Sequence, residues 1–227
     1  MKTVMKLIVV LAGGVFIGTI LSLGYLMGQR SGGPHTEPAA SGAPVVTIDG
    51  LQDLTIPEFS LTDQDGRTVT RESLLGRVTI LDFMFTHCPF ACPRLTAQML
   101  SMSNQLKDTP VRFISISVDP ERDTPAVLKA HAEKYGADLL RWTFLTGEIE
   151  TVKKVAVEGL KFALVPDEKT VIPLPDGTEM HNILHPTHFV LIGPDLKILG
   201  IYRSSEEAKL PMLVEQARVA ALATRPG

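Results

Sequence analysis

Two cysteines, Cys88 and Cys92, are the only ones in this chain of 227 residues, and they directly follow an apolar run from Val78 to Phe85. An apolar run of this length is typical of a buried central strand. Pro93 and a helix-forming stretch at 94–107 come next, which predicts Cys92 at the N-cap and Pro93 at the first helical position. The unpaired N–H groups of a helix start favour the thiolate, which is both a metal ligand and a nucleophile. The pattern therefore predicts a reactive or metal-binding cysteine pair.

Three kinds of chemistry fit this pair. A structural disulfide would close so short a loop that it contributes only roughly 2 kcal/mol in the chain-entropy model. Thiol–disulfide exchange is the second, with Cys88 attacking and Cys92 resolving, although its usual spacing has two intervening residues and this chain has three. Metal binding is the third and requires further ligands. A c-type haem is excluded because its attachment needs Cys-x-x-Cys-His, which this sequence lacks.

A metal site would need a histidine beside the two thiolates. Such a donor set is soft and suits Cu(I), while Cu(II) and Zn(II) also accept it. His35 falls in a predicted linker and His131 in a predicted helix, where solvated surface roles are expected. His87 adjoins Cys88, but neighbouring side chains of an extended segment point apart. Three candidates remain open from the residues alone: His181, His185 and His188.

The elements around the pair alternate between strands and helices. After two short strands about an Asp-Gly turn at 59–70, the sequence predicts strands at 78–85, 111–118 and 141–145, and helices at 124–135 and 148–158. A loop or hairpin at 165–180, a hairpin at 188–202, and a helix to about Leu222 opened by a Ser204/Glu207 capping box complete the chain. This order is that expected of a thioredoxin-like α/β sandwich.

The amino-terminal part has a different composition. A basic segment at 1–6 precedes 22 uncharged residues at 7–28, enough for a transmembrane helix that anchors the protein. Residues 29–45 are rich in Gly, Pro and Ser and are predicted to be a flexible linker. The remaining residues, 46–227, are predicted to form the folded domain. A cleavable signal peptide is disfavoured because its apolar region is shorter and ends in a small-residue cleavage site.

The distribution of charge indicates how the predicted membrane segment is oriented and which class of partner is excluded. Lys2 and Lys6 precede the apolar segment and Arg30 follows it, so the positive-inside rule places the N-terminus in the cytoplasm. A single-pass inner membrane protein with its domain in the periplasm is predicted, in preference to a mitochondrial one. Beyond the first 30 residues there are 19 basic and 25 acidic side chains, which argues against nucleic acid as a partner.

Two motifs carry a resemblance to a known family. They are Phe83-Met84-Phe85-Thr86-His87-Cys88-Pro89-Phe90-Ala91-Cys92-Pro93 and Ser117-Val118-Asp119-Pro120-Glu121-Arg122-Asp123-Thr124-Pro125, and a histidine also stands eight residues before Gly193-Pro194-Asp195. Over about 56–220 the sequence resembles the Sco/SenC family of membrane-tethered, thioredoxin-like copper proteins. Members of that family help to assemble the binuclear copper centre of cytochrome c oxidase. The second motif also reads as a strand end followed by a turn and a helix cap at Asp119 to Thr124.

The resemblance implies a site and partners. It makes Cys88, Cys92 and His185 the ligands of a copper ion, Cu(I) or Cu(II), and it selects His185 from the three open histidines. The implied partners are the copper-bearing subunit of cytochrome c oxidase, other copper carriers and thiol reductants. Thiol–disulfide oxidoreductase activity on exported or oxidase-subunit cysteines is the alternative function. A peroxidase-like thiol enzyme is a further alternative, since the opening Phe59–Thr62 also resembles peroxiredoxins.

This sequence departs from the family pattern around the expected site. Phe90 and Ala91 replace an Asp-Ile pair that is common there, and Arg94 stands where glutamate is frequent. Leu184 replaces an aspartate that usually precedes the histidine. The three expected ligands are unaffected, but their surroundings are more apolar than is usual for the family.

Overall fold

The computed structural model describes residues 50–224. The predicted basic segment 1–6, membrane anchor 7–28 and linker 29–45 lie outside the described residues. Within 50–224, none of the helices combines the length and the apolar character needed to cross a bilayer.

Residues 50–224 form nine strands: β1 (Ser60–Asp63), β2 (Thr68–Thr70), β3 (Thr79–Met84), β4 (Arg112–Ser117), β5 (Trp142–Thr146), β6 (Val165–Pro173), β7 (Glu179–Leu184), β8 (His188–Ile192) and β9 (Ile198–Arg203). Seven of them form one sheet with the order β2-β1-β5-β4-β3-β8-β9. Strands β3, β4 and β5 run parallel, and the pairs β1/β5, β3/β8 and β8/β9 are antiparallel. The predicted strands are thus confirmed to within one or two residues at each end.

Strand β3 is the structural centre of the domain. All six of its residues are buried, because β4 and β8 cover its two edges and side chains cover both faces. Parallel strands covered on both sides are expected to be almost wholly apolar, and β3 follows this rule except at Thr79 and Asp82.

Four helices connect and cover the strands. They are α1 (Cys92–Gln105), α2 (Pro125–Tyr135), α3 (Ile149–Lys153, continued as a π-helical segment over Lys154–Gly159) and α4 (Leu210–Ala223). Helix α2 begins and ends as predicted, since the Thr124 hydroxyl accepts from the Val127 N–H and Gly136 takes a left-handed conformation with φ 68°.

A separate two-stranded hairpin precedes β8. It consists of β6 (Val165–Pro173) and β7 (Glu179–Leu184), which pair antiparallel with a bulge between Asp167 and Val171. The sequence predicted a loop or hairpin at 165–180, and the structure shows the hairpin, extended by four residues. It leads directly into the segment that carries His185.

Two predicted helix starts were wrong in detail. Cys92 is the first residue of α1 rather than its N-cap, which is Ala91, although Pro93 does occupy the first turn. The Ser204/Glu207 capping box does not form: the N-cap of the turn that follows is Glu206, and the Ser204 hydroxyl accepts from the Arg94 guanidinium at 3.3 Å. A 3₁₀ turn occupies Glu207–Lys209, and the α-helix proper begins beside Pro211, which suits a first helical turn.

Candidate metal centre

The two cysteines lie where strand β3 passes into helix α1. A turn brings the Cys88 N–H to the Phe85 carbonyl at 3.3 Å, and Cys92 opens the helix. Cys88 is 6% exposed and Cys92 is 2% exposed. The cysteines are not disulfide-bonded, so both sulfurs are available as ligands.

Strand pairing brings His185 to this position from 93 residues further along the chain than Cys92. Strands β3 and β8 are antiparallel neighbours, with Leu81 opposite Val190. The carboxyl end of β3 therefore lies beside the amino end of β8, and the residues just outside these ends meet. As a result the Cys92 Sγ lies 3.3 Å from the His185 Nε2, and one donor atom from each of Cys88, Cys92 and His185 falls within 4.8 Å of the others.

The His185 ring is held in an orientation that suits ligation. Its Nδ1 lies 3.1 Å from the Pro186 carbonyl oxygen. Because a carbonyl only accepts, Nδ1 is the ring nitrogen that faces a hydrogen-bond acceptor, and Nε2 is the nitrogen that faces the sulfur of Cys92. The buried ring of Phe85 packs edge-on against the imidazole, with centroids 5.6 Å apart.

The two cysteine thiols have pKa values that are shifted in opposite directions. The hydrogen bond from Cys92 is the largest cause that lowers the pKa of Cys88, to about 4, and His185 and backbone N–H groups act in the same direction. The pKa of Cys92 is raised, because its bond to Cys88 holds the proton and burial disfavours a second charge. The reduced, metal-free pair therefore holds one thiolate and one thiol at neutral pH.

Asp82 is a residue near the site that the sequence analysis missed. It lies in β3, is 1% exposed, and its Oδ1 has no hydrogen-bond partner among the described residues. Burial raises its pKa to about 7, and its charge interacts with Cys92 and His185. The signal was present in the sequence, since Asp82 is the one charged residue inside the apolar run 78–85.

Asp123 fixes the start of the cysteine loop. It is fully buried, and it accepts a hydrogen bond from the Thr86 N–H at 3.1 Å and others from the Thr86 and Ser117 hydroxyls. Burial raises the pKa of this carboxyl. Asp123 also closes the predicted turn, since its N–H donates to the Asp119 carbonyl. The turn at Asp119 to Asp123 thus holds the start of the cysteine loop in place through the Asp123 carboxylate.

The other described histidines lie apart from the three-donor cluster. His87 is half-buried and lies 3.2 Å from the Thr86 hydroxyl through its Nδ1. His181 is exposed on β7, and His188 stacks on Phe162 with centroids 5.0 Å apart. His131 was predicted to be solvated, but it is half-buried against Phe144, and burial lowers its pKa to about 4. His35 lies outside the described residues.

The donor set and its dimensions fit one soft metal ion. Metal–thiolate bonds are about 2.3 Å long, so two sulfurs bound to one ion lie no more than about 4.6 Å apart. The separations in the cluster, all within 4.8 Å, are close to that limit. Two thiolates and an imidazole favour Cu(I) over hard cations. A cavity of about 340 Å³ borders Cys88 and His185, so the cluster is open on one side.

The fold and the site together define a class of protein. A mixed α/β domain that has two cysteines at a helix start and an imidazole beside them is typical of thioredoxin-like proteins that carry a soft metal or dithiol site. A family model described as SCO1/SenC matches residues 49–218. The chain therefore belongs to the SCO1/SenC family.

Individual relatives agree with this assignment. The SCO1 protein homolog of Bacillus subtilis (strain 168) is 36% identical over 167 residues, covering 73% of this chain and 82% of the relative. The solved structure of BsSco, a member of the Sco family of cytochrome c oxidase assembly proteins with a disulfide switch, has a TM-score of 0.60 at 33% identity and covers 74% of this chain and 94% of that one.

A copper-bound structure is also similar. Arabidopsis thaliana ScoI with copper bound has a TM-score of 0.59 at 26% identity, covering 72% of this chain and 98% of that one. These likenesses confirm the predicted mixed α/β, thioredoxin-like fold for the described domain.

Proposed function

We propose that this protein is a membrane-anchored copper chaperone that assists assembly of the binuclear copper centre of cytochrome c oxidase. It holds one copper ion through Cys88, Cys92 and His185 and passes the ion to the copper-bearing subunit of the oxidase. The observation that carries the proposal is the convergence of two sulfurs and one imidazole nitrogen within 4.8 Å of one another. Family membership and a copper-bound relative support it.

The geometry suits transfer of a cargo ion rather than permanent retention. Three protein donors leave a tetrahedral ion with an open position, whereas structural metal sites are usually closed by four. An acceptor ligand can enter at that position before a ligand of this chain leaves. Because a thiolate must be deprotonated to bind, the low pKa of Cys88 keeps one ligand ready at neutral pH.

Redox state controls binding under this proposal. When the Cys88 thiolate and the Cys92 thiol form a disulfide, they lose two electrons and one proton, and no thiolate remains for copper. Oxidation by a cellular thiol oxidant then gives an apo form, and a thiol reductant restores the carrier.

Copper titration tests the chaperone function. Reduced full-length protein should bind one Cu(I) in competition with a chromogenic chelator, and Cys88→Ser, Cys92→Ser and His185→Ala should each weaken binding. His181→Ala is the matched control, because His181 lies only four residues away but is exposed and outside the cluster. Unchanged affinity and stoichiometry in all three cluster variants would refute the proposal.

Thiol–disulfide exchange is the second candidate, and the unequal cysteine pKa values favour it. The Cys88 thiolate would attack a substrate disulfide and release one substrate thiolate. Cys92, after losing its proton, would then attack the Cys88 sulfur, release the second substrate thiol and leave the pair oxidised. Exchange would survive His185→Ala, whereas copper binding would not, so measuring both on one variant separates the candidates.

We also propose a location. The segment 7–28 anchors the chain in the inner membrane, the linker 29–45 spaces the domain from it, and the domain faces the periplasm. Other copper carriers and thiol reductants act on the domain there. Protease added to intact spheroplasts should remove the domain while leaving a membrane-bound fragment. Protection of the domain would contradict this orientation.

A further inference from the structure

The surface around the cysteine pair has an apolar, uncharged rim. Phe90 is 58% exposed and Leu184 is 51% exposed, and both line the cavity that borders Cys88 and His185. Phe90 comes from the cysteine loop and Leu184 from the end of β7, so two separate elements build the rim. Val165 pairs directly opposite Leu184, is 46% exposed, and extends the patch along the hairpin.

The exposure of Phe90 sets it apart. The other phenylalanines among residues 50–224 are buried or half-buried. Exposed aromatic side chains are enriched at the centres of protein interfaces, where their burial contributes most. Among the described residues, none that lines this cavity is an Asp, Glu, Lys or Arg. A partner recognised here would have to match an uncharged surface.

Ligand exchange requires contact at this rim. An incoming sulfur must approach to about 2.3 Å of the ion, yet Cys88 and Cys92 are only 6% and 2% exposed. A protein acceptor therefore reaches the ion only by laying its own surface against the side chains that surround the cavity. Phe90 and Leu184 are the most exposed of the apolar ones.

We propose that Phe90 and Leu184, extended by Val165, form the docking surface for the copper acceptor, whose ligands are surrounded by an apolar, uncharged rim. This inference rests on the proposed copper delivery and goes beyond it, because it assigns recognition to side chains that bind no metal. Docking driven by apolar burial depends only weakly on ionic strength, in contrast to docking that is steered by charge.

The test compares two acceptors of the same copper-loaded full-length protein. One is the soluble copper-bearing domain of the oxidase subunit from the same organism, and the other is bicinchoninate, a chelator too small to need a docking surface. The variants are Phe90→Ser, Leu184→Ser and their combination, with Phe90→Leu as the conservative variant. Leu140→Ser is the matched control, because Leu140 is 86% exposed and does not line the cavity.

The double variant is expected to slow transfer to the protein acceptor by about tenfold or more and to leave transfer to bicinchoninate unchanged. Phe90→Leu is expected to slow transfer to the protein acceptor less than Phe90→Ser does. Equal slowing toward both acceptors, or no slowing toward either, would overturn the docking surface. Slowing by Leu140→Ser of the same size would also overturn it. Failure of the chaperone function is recognised separately, because wild-type protein would then bind no copper before any acceptor is added.

Discussion

Replacing Asp82 by asparagine should make the domain more stable at neutral pH, although it alters a fully buried strand residue. Asn has nearly the same shape and keeps a carbonyl oxygen that can accept from the Ser115 hydroxyl, with which Asp82 interacts. The substitution removes the charge and also places one amide N–H₂ group in the buried site. Because the amide does not titrate, the pH dependence of the difference between wild type and variant reports the free energy of keeping an ionised carboxylate in the centre of the sheet.

The magnitude follows from the pKa. Burial is the largest cause that raises the pKa of Asp82 from 3.8 to about 7. The folded state therefore binds a proton more tightly than the unfolded chain, so stability is highest below pH 3.8 and falls as the pH rises through 7. At about 1.4 kcal/mol for each pKa unit, the penalty reaches about 4 kcal/mol above that window.

Urea unfolding of the reduced, copper-free protein between pH 4 and 8 measures the effect. The free energy of unfolding of Asp82→Asn relative to wild type should rise between the acid end and pH 8 by about 4 kcal/mol, so that the variant is the more stable at pH 8. Asp138→Asn is the opposite control, since Arg141 lowers the pKa of Asp138 and loss of that charge should destabilise the fold. Parallel curves for wild type and Asp82→Asn would refute the reasoning.

Three further predictions concern the site and its surroundings. Thiolate ultraviolet absorbance of the reduced, metal-free protein should persist down to about pH 4 and vanish in Cys88→Ser; absorbance that appears only above pH 8 would contradict the lowered pKa of Cys88. Phe85→Ala should lose about 3–5 kcal/mol of stability in urea unfolding and weaken Cu(I) binding. Phe83→Ala, equally buried, should lose similar stability with less effect on copper, and equal effects would argue against Phe85 orienting His185. Burial lowers the pKa of His131 to about 4 from 6.5, so stability falls as the pH drops through that range. His131→Leu should remove this loss, and an unchanged dependence of the unfolding free energy on pH would count against it.

Local patterns in the sequence were sufficient to predict where the two cysteines lie in the fold. An apolar strand, a proline and a helix-forming stretch are all signals within 30 residues of one another, and each acts through short-range physics. The structure accordingly places Cys92 within one residue of its predicted position at the helix start.

The histidine half could not be predicted in that way. Three histidines lie within eight positions, and no local pattern distinguishes His185 from His181 and His188. The distinction arises from hairpin pairing and from the packing of Phe162 on His188, which are tertiary features. Only the family resemblance singled out His185.

Other differences have identifiable physical causes. The Ser204 capping box failed because the turn after Ser204 begins later than predicted, with Glu206 at its N-cap, and the Ser204 hydroxyl is hydrogen-bonded to Arg94, far away in the sequence. Asp82 was not predicted as a residue near the site, because one acidic residue within an apolar run leaves the strand prediction unchanged. Burial of a carboxyl group costs free energy, however, and buried carboxyl groups often mark a functional region.

The pairing of β3 with β8 has a consequence for biogenesis. During synthesis the segment with both sulfurs emerges well before the segment with the imidazole, because Cys92 and His185 are 93 residues apart. A partly synthesised chain thus presents two thiols before the neighbouring imidazole and strand β8 exist. Under the proposed function, oxidation of the pair or binding of another ion in that interval would block copper loading, so loading would require nearly the whole polypeptide.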